Sequence, residues 1–151
     1  MKNIVIAFDH RGESLATEIK NHLEKKKYSV SMGTSIEGDD YIDNALPAID
    51  EVKTRRADFA ILICGTGVGM AIVANRFSGI FAVHAKDPAE AHFARVHEDA
   101  NVLILGAGYS DDQYEVQMGQ NKAKKIVDAF LSSSFEGGRH ERRIRKIDKI
   151  K

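Results

Sequence analysis

The chain has 151 residues, 43% of them hydrophobic, enough for one ordinary domain (1–151) that buries roughly 70% of the surface its unfolded form exposes. Lys plus Arg and Asp plus Glu number 22 each, so net charge gives no pull toward nucleic acid or an acidic membrane, and neither partner is expected. One cysteine cannot make an internal disulfide, the start MKNIVIAFDHRG is too short in apolar residues for a signal peptide, and no run nears the roughly 18 of a membrane span; a reducing cytoplasm is the expected location.

In chain order, short β-rich runs alternate with segments of helical period, the pattern of βαβ units and a parallel sheet. Residues 3–8 read as a first strand, and Leu15, Ile19 and Leu23 at four-residue spacing give a first helix its apolar stripe. A weaker strand follows at 28–32, then a Gly-, Ser- and Asp-rich loop at 33–41 and a helix over 45–55 that tolerates Pro47 only near its start. Residues 59–64 form a continuous apolar run, which marks a central strand buried on both faces. Strands at 80–83 and 102–105 flank a helix that opens at Pro88 and runs toward His97. Ala123, Ile126, Val127, Phe130 and Leu131 give one 3.6-period face to a long helix after Ser110, and 136–151 is a basic helical tail. The predicted fold is a three-layer, Rossmann-like α/β arrangement: five parallel strands, helices on both faces and a C-terminal helix.

Ligands of open α/β sheets bind outside the carboxyl ends of the strands. Asp9 and His10 follow the first strand, Cys64 ends the third, and His84 ends the fourth. The stretch CGTGVGM meets neither a dinucleotide fingerprint, since Met70 stands where the third glycine belongs, nor a Walker loop. Gly65, Gly67 and Gly69 between a buried strand and a helical stretch serve equally a tight βα turn or a cradle of N–H groups for an anion. A lone Cys64 there is either a small buried hydrophobe or a thiol whose pKa the helix N-terminus lowers, predicting a larger thiolate fraction at neutral pH.

The motifs DHRG (9–12), YID (41–43), CGTGVGMAIVANR (64–76), RVHEDANVLILGA (95–107) and FEGGRHERRIRKI (135–147), in that order, resemble the ribose-5-phosphate isomerase type B family, which also holds galactose- and allose-6-phosphate isomerases. The resemblance implies a metal-independent aldose–ketose isomerisation of a sugar phosphate through an enediolate, with no cofactor. It implies Cys64 as the base, Gly65, Gly67, Val68 and Gly69 as an anion hole with the Thr66 hydroxyl beside it, and His97 as the ring-opening group with Asp43 assisting. His10, Arg139 and Arg143 match phosphate-binding positions, Asp9 a sugar-binding one, and Asn75 lies within the glycine motif. Family members build each site from two subunits, which implies a homodimer or a dimer of dimers, with the tail contributing to both site and interface.

Gly108 stands where many relatives have arginine and Arg11 where alanine is frequent, so Arg11 is a candidate replacement cation; Glu98 replaces a common asparagine and Ile42 a frequent proline. His92 and His97 are five apart and do not share a helix face as i, i+4 zinc ligands would, so no metal is expected. Ile144, Ile147 and Ile150 recur every three residues in the tail, which fits a helix packed on a partner better than a nucleic-acid arm. The competing readings are a hexose 6-phosphate isomerase and a nucleotide-binding regulatory domain.

Overall fold

The structure, a computed structural model, describes residues 1–35 and 38–150; part of the loop expected at 33–41 and the last tail residue lie outside the described residues. Strands β1 (Asn3–Phe8), β2 (Ser29–Met32), β3 (Phe59–Cys64), β4 (Ala82–His84) and β5 (Val102–Gly106) form one sheet in the order β2-β1-β3-β5-β4. Every pairing in it is parallel. Helices α1 (Glu13–Lys25), α2 (Tyr41–Lys53), α3 (Val68–Ala74), α4 (Pro88–Glu98), α5 (Gln120–Ser132) and α6 (Arg139–Asp148) connect and flank it.

Side chains alternate through the sheet into two cores. Ile4, Ile6, Ile61, Ile63, Leu103 and Leu105 pack against α1, α4 and α5, while Val5, Ala7, Leu62, Cys64 and Ile104 pack against α2 and α3. The central run reads as expected: all six residues of β3 are buried, whereas the edge strand β2 alternates between half-buried and exposed. Cys64 therefore opens toward the α2/α3 layer. No described helix is long and apolar enough to cross a membrane.

Three boundaries differ most from the sequence expectation. Helix α2 starts four residues earlier than the apolar pattern suggests, because Asp40 caps it: its Oδ1 accepts from the N–H groups of Ile42 (2.9 Å) and Asp43 (3.2 Å). Pro47 consequently lies inside the helix, where it has no N–H for the carbonyl one turn back. The fourth strand is shifted toward His84, since the backbone of Ala82 is tied to Asn75. The long helix after Ser110 begins only at Gln120. The preceding segment folds instead into an antiparallel ribbon, β6 (Gly108–Ser110) with β7 (Glu115–Gln117), whose turn is fixed by the Asp111 carboxylate accepting from Gln113 and Tyr114 N–H at 2.8 and 2.7 Å. Those two bonds hold Asp111 below the ordinary carboxylate pKa.

Candidate active site

The carboxyl ends of β1, β3 and β4 bring most of the expected residues together. Cys64 is 4% exposed, and its Sγ accepts a hydrogen bond from the Gly67 N–H at 3.2 Å. Gly67 reaches this position with φ of 82°, a left-handed conformation that glycine adopts without steric cost. The Val68 N–H donates to the Thr66 hydroxyl at 3.3 Å, and Val68 itself is exposed. The glycine turn thus aims at least one N–H at the sulfur itself.

The expected lowering of the Cys64 pKa is not what the geometry gives. Burial pushes the thiol upward and the nearby Asp9 charge adds to that, outweighing the hydrogen bonds from Gly67, Met70 and Thr66 that favour the thiolate. A helix N-terminus is visible in the sequence, whereas the desolvation of a strand-end side chain turned into a core is not. In the single chain, burial therefore favours the neutral thiol over the thiolate.

Asp9 is buried beside it. Its Oδ1 accepts from the N–H groups of Arg11 (3.0 Å) and Gly12 (3.1 Å), which folds DHRG back on itself and leaves His10 exposed at the rim. Arg11 lies over the Tyr109 ring, with Cζ 4.7 Å from the centroid, and its Cδ is 2.9 Å from where a Gly65 Cβ would stand. The cation singled out in place of an arginine at Gly108 therefore sits across the mouth of the glycine turn, beside Gly108. Asp43 is in the first turn of α2, where its Oδ2 completes the capping box by accepting from the Asp40 N–H at 3.3 Å. It lines a cleft of about 340 Å³ with Ala7, Met32, Thr34, Asn44 and Glu51.

Two contacts of the turn were not legible beforehand. The Tyr41 ring lies against Gly69, and His84 lies against Gly67, its Nε2 2.7 Å from the ideal Cβ position. Burial and the Lys86 charge lower the His84 pKa against the opposing pull of Glu90, which favours the neutral imidazole beneath the turn. A strand-end position was the only sequence signal for His84. Gly106 is equally confined: a Cβ there would run into the Thr66 carbonyl group. Gly106→Ala is expected to displace the turn, lowering stability by about 1–3 kcal/mol in chemical denaturation and reducing turnover with it.

The remaining expected residues lie elsewhere. Asn75 binds Ala82 through both its amide oxygen and nitrogen, at 2.9 Å each, and donates to Ala71 O at 3.1 Å. It joins the end of α3 to the start of β4, at the amino end of the sheet, so its side chain is structural and not at the mouth of the turn. His97 is also remote from Cys64. Helix α4 joins two parallel strands and must run back against them, so His97 on its last turn lies toward the amino ends of the strands, on the α1/α4/α5 face. Arg139 and Arg143 are exposed on α6, which packs beside α4 and ends with Asp148 accepting from the Gly79 N–H at 2.7 Å. One chain holds the thiol, the turn, Asp9 and His10 at one end, and His97, Arg139 and Arg143 at the other.

The profile of the Ribose/Galactose Isomerase family matches residues 4–147. The chain is 41% identical to ribose-5-phosphate isomerase B of Escherichia coli (strain K12) over 152 aligned positions, covering 99% of this chain and 97% of that protein. It superimposes on a ribose 5-phosphate isomerase from Thermotoga maritima with a TM-score of 0.89, at 44% identity over 99% of both chains. A second solved structure, ribose-5-phosphate isomerase B from Mycoplasma genitalium with bound ribulose-5-phosphate, matches with a TM-score of 0.86 and 40% identity, covering 97% of this chain and 94% of that one. With matches of this extent at both the sequence and the fold level, the chain belongs to the ribose/galactose isomerase family.

Proposed function

We propose that this chain interconverts ribose 5-phosphate and ribulose 5-phosphate without a metal, with Cys64 as the base. The observation that carries the reading is the Cys64 sulfur at the end of the central strand, bonded by the glycine turn and flanked by Asp9. Relatives at 41% and 44% identity bear that activity in their names, and the Mycoplasma genitalium relative was solved with the ketose product.

Isomerisation needs a base at the carbon next to the carbonyl. Cys64 as thiolate takes that proton, the C–H electrons become the C1–C2 double bond, and the carbonyl electrons move to oxygen, giving an enediolate. The Cys64 thiol then returns the proton to C1 while the 2-hydroxyl proton passes to the C1 oxyanion, so that C2 becomes the carbonyl, C1 carries the hydroxyl and the thiolate is restored. The turn N–H groups not engaged with the sulfur or the Thr66 hydroxyl, those of Gly65 and Gly69, receive the developing oxyanion, and one preorganised donor of this kind contributes about 3 kcal/mol. Ring opening precedes this and falls to His97, with Asp43 assisting; Arg139, Arg143 and His10 hold the phosphate.

These groups converge only if a second copy of the chain supplies His97, Arg139 and Arg143 to the thiol of the first. That arrangement makes the working unit a homodimer at least, with α6 contributing to the site across the interface. Its Ile144 and Ile147, half-buried and exposed in the single chain, supply the apolar face for such a contact.

Conversion of ribose 5-phosphate, followed with EDTA present, tests the proposal. Turnover supports it; turnover lost with EDTA overturns the metal-free reaction; turnover confined to allose 6-phosphate overturns the substrate. The raised thiol pKa adds a pH signature. Because kcat/KM reports ionisations of the free enzyme, it is expected to climb with pH by up to roughly tenfold per unit, levelling only above the ordinary thiol value of about 8.5. A profile flat between about pH 6 and 8 would take the base role away from Cys64.

A further inference from the structure

Away from the thiol, the last turn of α4 and the start of α6 gather a second group of side chains. His97, Glu136 and His140 each offer one ligand atom, and these atoms all lie within 4.8 Å of one another. His140 is 5% exposed, yet its Nε2 has no hydrogen-bond partner among the described residues. The nearest acidic oxygen, from Glu136, is 3.6 Å away, beyond hydrogen-bonding reach. A buried imidazole nitrogen 3.6 Å from a carboxylate oxygen, with a second imidazole stacked beside it and no hydrogen-bond partner among the described residues, is a ligand atom in waiting.

Two imidazoles and a carboxylate make the donor set that suits zinc and neighbouring divalent transition metals. Bond lengths of about 2.0–2.2 Å in tetrahedral geometry put ligand atoms roughly 3.3–3.5 Å apart, so the group has to contract by about an ångström. Glu136 is exposed and free to swing. The His97 ring stacks on His140 at 4.4 Å with 15° between planes, and Phe93 lies on it at 5.1 Å. Parallel rings cannot direct in-plane lone pairs at one ion, so half-buried His97 turns about its Cβ–Cγ bond while His140 stays. The five-residue spacing of His92 and His97 rules out a pair on one helix face, whereas this set joins α4 to Glu136 and to the first turn of α6.

We propose that His97, Glu136 and His140 bind a divalent transition-metal ion of the zinc type, and that the bound ion inhibits the isomerase by occupying the imidazole that opens the sugar ring. The inhibition rests on the proposed role of His97; the binding does not. Binding is measured on the Cys64→Ser chain, whose side chain offers no thiolate to compete for metal. Calorimetry with Zn²⁺ and visible absorption with Co²⁺ are expected to show one ion per chain, weakened at least about tenfold by Glu136→Gln and by His140→Asn. Should His140→Asn fail to fold, the exposed Glu136→Gln still decides the matter. In the chain with its thiol intact, Zn²⁺ is expected to reduce turnover reversibly with EDTA, and Glu136→Gln to keep its basal turnover while resisting Zn²⁺. Absence of binding, or binding indifferent to both substitutions, overturns the site. Zn²⁺ inhibition undiminished in Glu136→Gln assigns the effect to the thiol and overturns the inhibitory role. Binding that depends on both residues without any loss of turnover keeps the site but removes His97 from ring opening.

Discussion

Cys64→Ala is expected to lower kcat for ribose 5-phosphate by about 10³- to 10⁴-fold while the protein stays folded, because general-base catalysis contributes at about this level. The fold tolerates the change: Cys64 packs with Leu62, Met70 and Ile104 in the α2/α3 core, and losing one buried sulfur costs about 1 kcal/mol. Cys64→Ser is the sharper variant. Its hydroxyl still accepts the Gly67 N–H that Sγ accepts at 3.2 Å, so the turn keeps its shape, but it does not ionise at working pH. Equal losses in both variants, with unchanged circular dichroism and oligomeric state, assign the defect to the missing base. Turnover within about tenfold of the parent in Cys64→Ser would show that another group takes the proton, Asp9 being the carboxylate whose charge acts on the sulfur.

The sheet was legible because burial on both faces leaves an unambiguous mark: β3 is an unbroken apolar run with a glycine turn behind it, and the periods of α1 and α5 are clean. Strand order was not, since nothing in a local pattern says that β5 inserts between β3 and β4. The Asp40 cap and the Asp111 turn were missed for a related reason. Each is a single carboxylate collecting backbone N–H groups, visible only as one Asp among several in polar stretches.

For the site, strand-end position located Cys64, Asp9 and the glycine turn, and geometry then reversed the sign of the thiol shift. Asn75 was grouped with the turn by sequence proximity alone, whereas α3 carries it down to the opposite end of the sheet. Proximity along the chain and proximity in space part company once a helix intervenes. The same geometry separates His97 from Cys64, and it sets the second large effect.

If each working site combines the thiol of one copy with the His97 of another, two inactive variants should restore each other. Cys64→Ala lacks the base; His97→Ala is expected to lose about 10²-fold through slow ring opening. In a heterodimer of the two, one site pairs an intact Cys64 with an intact His97, and the other site carries both substitutions. Random exchange makes about half the dimers mixed, so an equal mixture should recover about a quarter of parental turnover per chain. Sites complete within one chain predict no recovery, because neither variant then holds a full set. Co-expression with two different affinity tags and purification through both isolates the heterodimer, where the expected value is about half of parental activity. Recovery would also fit a thiol whose burial in the single chain favours its neutral form. The cationic α6 residues Arg139 and Arg143, exposed and remote in one copy, reach the sulfur end of the sheet only when a second copy delivers them together with the anionic substrate.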